Sequence, residues 1–196
     1  MENVLRTATF AATKHRNQRR KNKESTPYIN HPLGVANYIA SVGKVYDPVV
    51  LQAALLHDTI EDVGVTYDEI VQEFGVEVAN IVQEVTDDKS LSKVDRKKLQ
   101  VQHASHKSYG AKLVKLADKL YNITDLLSEA PKGWYPEVVH GYFVHGYFVW
   151  TYMVVKGLRG TNAALEAELD KVFKKVLRPD EDLSVSLEKY YKELSR

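Results

Sequence analysis

His57 and Asp58 stand together where an apolar run, Ala53-Ala54-Leu55-Leu56, gives way to titratable residues, with Glu61 and Asp62 completing the group. Ionisable side chains set into an apolar segment are costly unless a partner or an ion holds them. The segment therefore points to chemistry. An imidazole and a carboxylate side by side can hold one cation, and on a continuous helix Glu61 and Asp62 lie one turn beyond them on the same surface. A second cluster, Lys112 to Asn122, puts Asp118 and Asn122 four residues apart among apolar and basic neighbours. Asp118 is thus a candidate distant carboxylate ligand. His31, just before Pro32, reads either as a helix-start residue, since proline suits a first helical turn, or as a further ligand. The His57–Asp58 pair likewise also reads as a capping or surface feature, and residue types alone leave both alternatives open.

The segment from His15 to Lys23 concentrates Arg16, Arg19, Arg20, Lys21 and Lys23 in a chain whose 27 Lys and Arg nearly balance 26 Asp and Glu. No global field draws such a protein to nucleic acid or to a membrane. Taken alone, the patch is a solvated loop, a nucleic-acid contact or a polyphosphate site. The absence of cysteine excludes disulfides, thiolate zinc sites and cysteine nucleophiles. His, Asp and Glu are left to do the chemistry. The N-terminus lacks the apolar core of a secretory signal, and the longest apolar run, Gly141 to Val155, contains His145 and falls short of a membrane span. A soluble, cytoplasmic protein is expected, with neither nucleic acid nor membrane as partner.

The elements that must carry these residues read as helices. Val4, Ala8, Ala11 and Ala12 recur at three and four residues, as do Val35, Ile39 and Val42. Further helices are expected over Val49 to Glu61, Tyr67 to Phe74, Val76 to Val85, a polar stretch from Lys93, and Ala111 to Leu127. Gly43, Asp47-Pro48, Gly64, Gly75, Gly110 and Pro131-Lys132-Gly133 punctuate the series. The fold class is all-α, a compact helical bundle over residues 1–178 with a C-terminal tail over 179–196. In that tail Leu183, Leu187, Tyr190, Tyr191 and Leu194 suit a short amphipathic helix. One irregularity stands out. His-Gly-Tyr-Phe-Val occupies 140–144 and again 145–149. Five residues turn a helix by about 140° beyond whole turns, so a bulge or loop is expected to absorb the copy.

The order His31, His57-Asp58, Asp118 resembles the ligand series of the HD phosphohydrolases. The likeness extends to Phe10-Ala11-Ala12, His15-Arg16, Arg19-Arg20-Lys21, the whole of Thr26 to Pro32, Ala54 to Asp62, Glu84 to Lys89 and Lys115 to Asn122. Together these are similar to the metazoan SpoT-homologue family, relatives of the hydrolase domain of bacterial stringent-response enzymes. The similarity covers roughly residues 3 to 176. It implies an all-helical HD domain that holds one manganese ion and hydrolyses guanosine 3′,5′-bis(diphosphate) at the 3′ position. By the same resemblance His31, His57, Asp58 and Asp118 are the metal ligands and Glu61 and Asp62 the catalytic pair. Arg20, Lys21, Tyr28, Lys93, Asn122 and Tyr142 would contact the nucleotide. Such a mixed nitrogen and oxygen set suits manganese, which would acidify a water beside the carboxylates. One departure bears on substrate: where the family pattern has an arginine after Gly133-Trp134, this chain has Val138, followed by the repeat with its competing tyrosines Tyr142 and Tyr147. An NADPH 2′-phosphatase and a nucleotide sensor without turnover are the alternatives. No synthetase domain is expected alongside the hydrolase.

Overall fold

The structure, a computed structural model, describes residues 1–22, 24–128 and 141–196, with the side chains of 141–143 excepted. Helices α1 (Glu2–Lys14), α2 (Asn30–Ser41), α3 (Pro48–Leu56), α4 (Thr59–Val63), α5 (Tyr67–Phe74) and α6 (Val76–Val85) form the first half. They are followed by α7 (Lys93–His103), a 3-10 turn, α8 (Tyr109–Ser128), α9 (Gly141–Leu158), α10 (Ala163–Val176) and α11 (Leu183–Leu194). The molecule is all-α, as expected from the periodicity. Several helix starts are written locally. Asp47 accepts from the Val49 amide with Pro48 in the first turn, Thr66 accepts from Glu69, and Ser92 accepts from Asp95. Each satisfies an amide that the helix itself leaves free. Gly64 closes α4 with φ 72°, a left-handed value that glycine adopts without cost.

The expected helix over Val49 to Glu61 is two helices. Its end is capped from within: the His57 ring bonds the Ala54 carbonyl at 2.7 Å and Thr59 Oγ1 donates to the Leu56 carbonyl at 2.7 Å. Asp58, at φ −101° and ψ 0°, then starts α4. The break separates Glu61 from the helix that carries His57, while Asp62 keeps its backbone bond to Asp58 at 2.9 Å one turn back.

Helix α8 is the central post. It touches α2, α3, α6, α9 and α10, and nearly every residue from Gly110 to Leu120 is buried, Lys115, Asp118 and Lys119 among them. A helix buried all round carries charge only where it lines a polar interior. Gly34 lets α2 close on α8, since a Cβ there would meet the Tyr121 ring at 2.0 Å. Of the tandem repeat, the residues before Gly141, where a loop could absorb the copy, lie outside the described ones. The second copy lies in an unbroken α9, without a bulge. Its register is held by packing: Phe148 and Val149 are buried, and Gly146 abuts Tyr190 of α11, where a Cβ would come within 2.6 Å of that side chain. His145 Nε2 meets Glu181 Oε1 at 2.5 Å, which ties α9 to the segment leading into α11. Among the described residues no helix is long and apolar enough to cross a membrane.

Candidate metal centre and its cleft

The first residue of α2, the break between α3 and α4, and the middle of α8 converge on one point. His31 Nε2 lies 3.1 Å from His57 Nε2, 3.3 Å from Asp118 Oδ1 and 3.5 Å from Asp58 Oδ2. His57 Nε2 is 3.1 Å from Asp58 Oδ2 and 3.9 Å from Asp118 Oδ1. Both imidazoles are buried. The Ala54 carbonyl can only accept, so Nδ1 of His57 carries a proton, and it is the Nε2 side of the ring that faces the centre. Two imidazole nitrogens and two carboxylate oxygens thus meet at one point. They fit a divalent cation: bonds of about 2.1 Å require neighbouring ligands about 3.0 Å apart, close to the shortest separations found.

The surroundings orient the candidate ligands. Tyr28 donates its hydroxyl to Asp58 Oδ2 at 2.7 Å, Asn122 Nδ2 donates to Asp118 Oδ1 at 2.6 Å, and Lys119 Nζ lies 3.0 Å from Asp118 Oδ2. Burial pulls the His31 pKa down. Burial acts the same way on His57, but Asp58 and Asp118 overcome it and push His57 up to about 9. Asp118 is held well below the usual carboxylate range although burial opposes this, chiefly by the charge of Lys119 and a hydrogen bond from His31.

His31, Asp58 and Asp118 line a cavity of about 290 Å³ that also gathers Arg20, Tyr28, Glu61, Lys93 and Asn122. Glu61 reaches it from α4, where the Asp87 amide donates to Oε2 at 3.3 Å and Arg96 lies 3.6 Å from Oε1. Burial, then the charge of Asp87, raises the Glu61 pKa. Asp62 faces an adjoining hollow of about 480 Å³ shared with Lys21, Arg20 and Tyr28, and accepts from Gln18 at 2.9 Å and Lys89 at 3.0 Å. Arg20 links the two spaces, paired with Asp125 at 2.7 Å. Tyr142 lies outside the described side chains. Tyr147, the matching residue of the second copy, lines the cavity.

A family model for the HD domain matches residues 7–138. The chain is 57% identical over 170 residues to the guanosine-3′,5′-bis(diphosphate) 3′-pyrophosphohydrolase MESH1 of Xenopus tropicalis, covering 87% of this chain and 92% of that one. The human protein of the same name is 55% identical over 171 residues, covering 87% and 93%. The chain belongs to the HD-domain family, in its MESH1 group. A solved structure described as a metazoan ortholog of SpoT that hydrolyses ppGpp and plays a role in starvation responses superimposes with a TM-score of 0.81 at 45% identity, covering 89% of this chain and 95% of that one. In an HD domain, the buried trio of His31, His57 and Asp118 marks a divalent-metal site. The four ligand candidates of this HD domain fall inside the matched span, whereas Tyr147 and Trp150 lie beyond it.

Sequence reasoning missed the basic part of the lining, made by Arg96, Lys97 and Gln100 of α7 and by Lys115 and Lys119 of α8. The signal was present. Lys93, Arg96, Lys97 and Gln100 follow the spacing of one helical face, as Lys115 and Lys119 do on α8.

Proposed function

We propose that this protein is a phosphohydrolase that uses one manganese ion to convert guanosine 3′,5′-bis(diphosphate) and water into GDP and pyrophosphate. The observation that carries this reading is the convergence of the His31, His57, Asp58 and Asp118 donor atoms beside a cavity that His31, Asp58 and Asp118 line together with Glu61 and a row of cations. These four residues would hold the ion, which supplies Lewis-acid charge at a phosphoryl oxygen and acidity to a water. Residues 1–178 form the catalytic unit and 179–196 its tail, in a cytoplasmic protein whose partner is a small nucleotide.

The chain's own groups have the remaining tasks. The water oxygen bonds to the phosphorus on the 3′ oxygen as the bond between that phosphorus and the 3′ oxygen breaks. Glu61, whose raised pKa suits a group that takes and returns a proton, accepts a proton from the water and delivers one to the departing 3′ oxygen. Arg96 beside it offsets the carboxylate charge. Asp62, anchored by Gln18 and Lys89, acts from the adjoining hollow, where Arg20 and Lys21 hold nucleotide phosphates and ribose. Lys93, Asn122 and Tyr28 border the path between the two spaces, and Tyr142 completes the contacts expected from the resemblance.

The test is turnover by the purified, manganese-loaded chain offered guanosine 3′,5′-bis(diphosphate) and NADPH side by side. Pyrophosphate is expected from the first, with a loss of about a hundredfold or more in Glu61→Gln and Asp62→Ala, the range for a lost acid–base group. Free phosphate from NADPH alone would move the activity to a 2′-phosphatase. Manganese binding without hydrolysis of either would leave a nucleotide sensor.

A further inference from the structure

Lys97 and Lys119 border the cavity and rest on the Trp150 ring, their Nζ atoms 3.4 and 4.6 Å from its centre. His15 has no such place. It caps the end of α1 at 2% exposure and does not line the cavity. Its Nδ1 lies 2.6 Å from Gln18 Oε1, and Gln18 Nε2 donates to Asp62 Oδ2 at 2.9 Å. The backbone fixes this arrangement: the Gln18 amide donates to the His15 carbonyl at 2.9 Å, and the Gln18 carbonyl accepts from the Tyr28 amide at 3.1 Å.

The direction of each bond follows from Asp62. Its carboxylate pairs with the Lys89 ammonium at 3.0 Å, and an ionised carboxylate can only accept. The Gln18 side chain must therefore turn its N–H to Asp62 and its oxygen to His15, and that oxygen needs a donor. Nδ1 of His15 supplies it. The other ring nitrogen, Nε2, is buried with no hydrogen-bond partner among the described residues. A proton on Nε2 would be a buried donor without an acceptor, so the ring keeps its proton on Nδ1. The two arms that hold Asp62 differ in firmness. Lys89 is half exposed, and water screens such a pair. The Gln18 arm is backed by a buried ring that stacks on Tyr28, with centroids 5.0 Å and planes 28° apart. Without the His15 donor the Gln18 oxygen is left unanswered, the amide swings to water, and Asp62 Oδ2 is free to turn.

We propose that His15 and Gln18 are positioning residues for Asp62. A relay of hydrogen bonds, from His15 Nδ1–H through the Gln18 amide to Asp62 Oδ2, holds the carboxylate turned for its part in turnover, while His15 itself stays out of the cavity. That task rests on the function proposed above; the relay of bonds does not.

Steady-state turnover of guanosine 3′,5′-bis(diphosphate) by the manganese-loaded full chain tests the task. His15→Phe keeps a ring against Tyr28 and removes the donor. It should lower kcat about tenfold, the effect of one lost hydrogen bond, with KM and manganese affinity within about twofold. His15→Asn, whose side-chain N–H can stand where Nδ1–H stood, should recover most of that loss. In an Asp62→Ala background His15→Phe should cost less than about twofold, because its effect runs through Asp62. Unchanged kcat in His15→Phe, a loss as large in the Asp62→Ala background as without it, or no rescue by asparagine overturns the proposal. If His15→Phe does not fold, Gln18→Leu decides by the same comparison. Nitrogen-15 NMR of the histidine-labelled chain separates the relay from its task. A His15 proton on Nε2 overturns the proposal whatever the activity. A proton on Nδ1 in a chain that leaves the nucleotide intact, or in which Asp62→Ala keeps full turnover, keeps the relay and removes the role given to Asp62 above.

Discussion

Tyr28 bears most directly on how the centre is tuned. From sequence it was expected to touch the nucleotide, and it does border the cavity, but its hydroxyl is committed to Asp58 at 2.7 Å. Removing a partner that orients a ligand lowers metal affinity by about 10–100-fold. Tyr28→Phe should show that loss in a manganese titration; unchanged affinity would mean that the bond to Asp58 is incidental. His57 sets the pH dependence. In the metal-free chain its proton is retained up to about 9, because Asp58 and Asp118 outweigh burial, and an incoming cation must displace that proton. Apparent manganese affinity should therefore rise about tenfold per pH unit from neutral pH and level off above about 9. A flat profile between neutrality and that point would show that His57 is already unprotonated.

At the scale of elements, Gly34 is where α2 and α8 meet most closely, and the Tyr121 ring it touches also packs on His31 with centroids 4.9 Å apart. A methyl group there has nowhere to go. Gly34→Ala should destabilise the fold by about 1–3 kcal/mol, as overpacking does, and weaken metal binding with it through the displaced ring. Thermal unfolding with and without manganese separates the two effects. The elements also show where the sequence was legible. Helix existence followed from periodicity and from caps such as Asp47-Pro48, whose physics is local. The division of α3 from α4 did not, because two side-chain bonds to carbonyls, from His57 and Thr59, override a pattern that reads as continuous. The meeting of His31, His57, Asp58 and Asp118 was legible through ordered motifs. The lysine wall was not, because lysines at helical spacing read as a solvated face until the helices are known to border a cavity.

At the scale of the molecule, the centre joins α2, the α3–α4 junction and α8, segments distant in the chain. An ion bound there and not by the unfolded chain stabilises the whole fold. At a free concentration a hundred times its dissociation constant, manganese should add about 2.7 kcal/mol, worth about 5–11 °C in a chain of this size. Chelation should reverse the gain in a melting experiment; a melting temperature indifferent to both would mean that the ligands do not bind the ion as one centre. A different kind of consequence follows from Trp150, one of only two tryptophans in the chain. Its indole lies beneath Lys97 and beside Lys119, so the field on its excited-state dipole is set by two charges at the cavity wall. Any anion that settles among them changes that field. The colour of this protein's own ultraviolet emission is thus a gauge of whether its cleft is filled, installed by packing and needing no label.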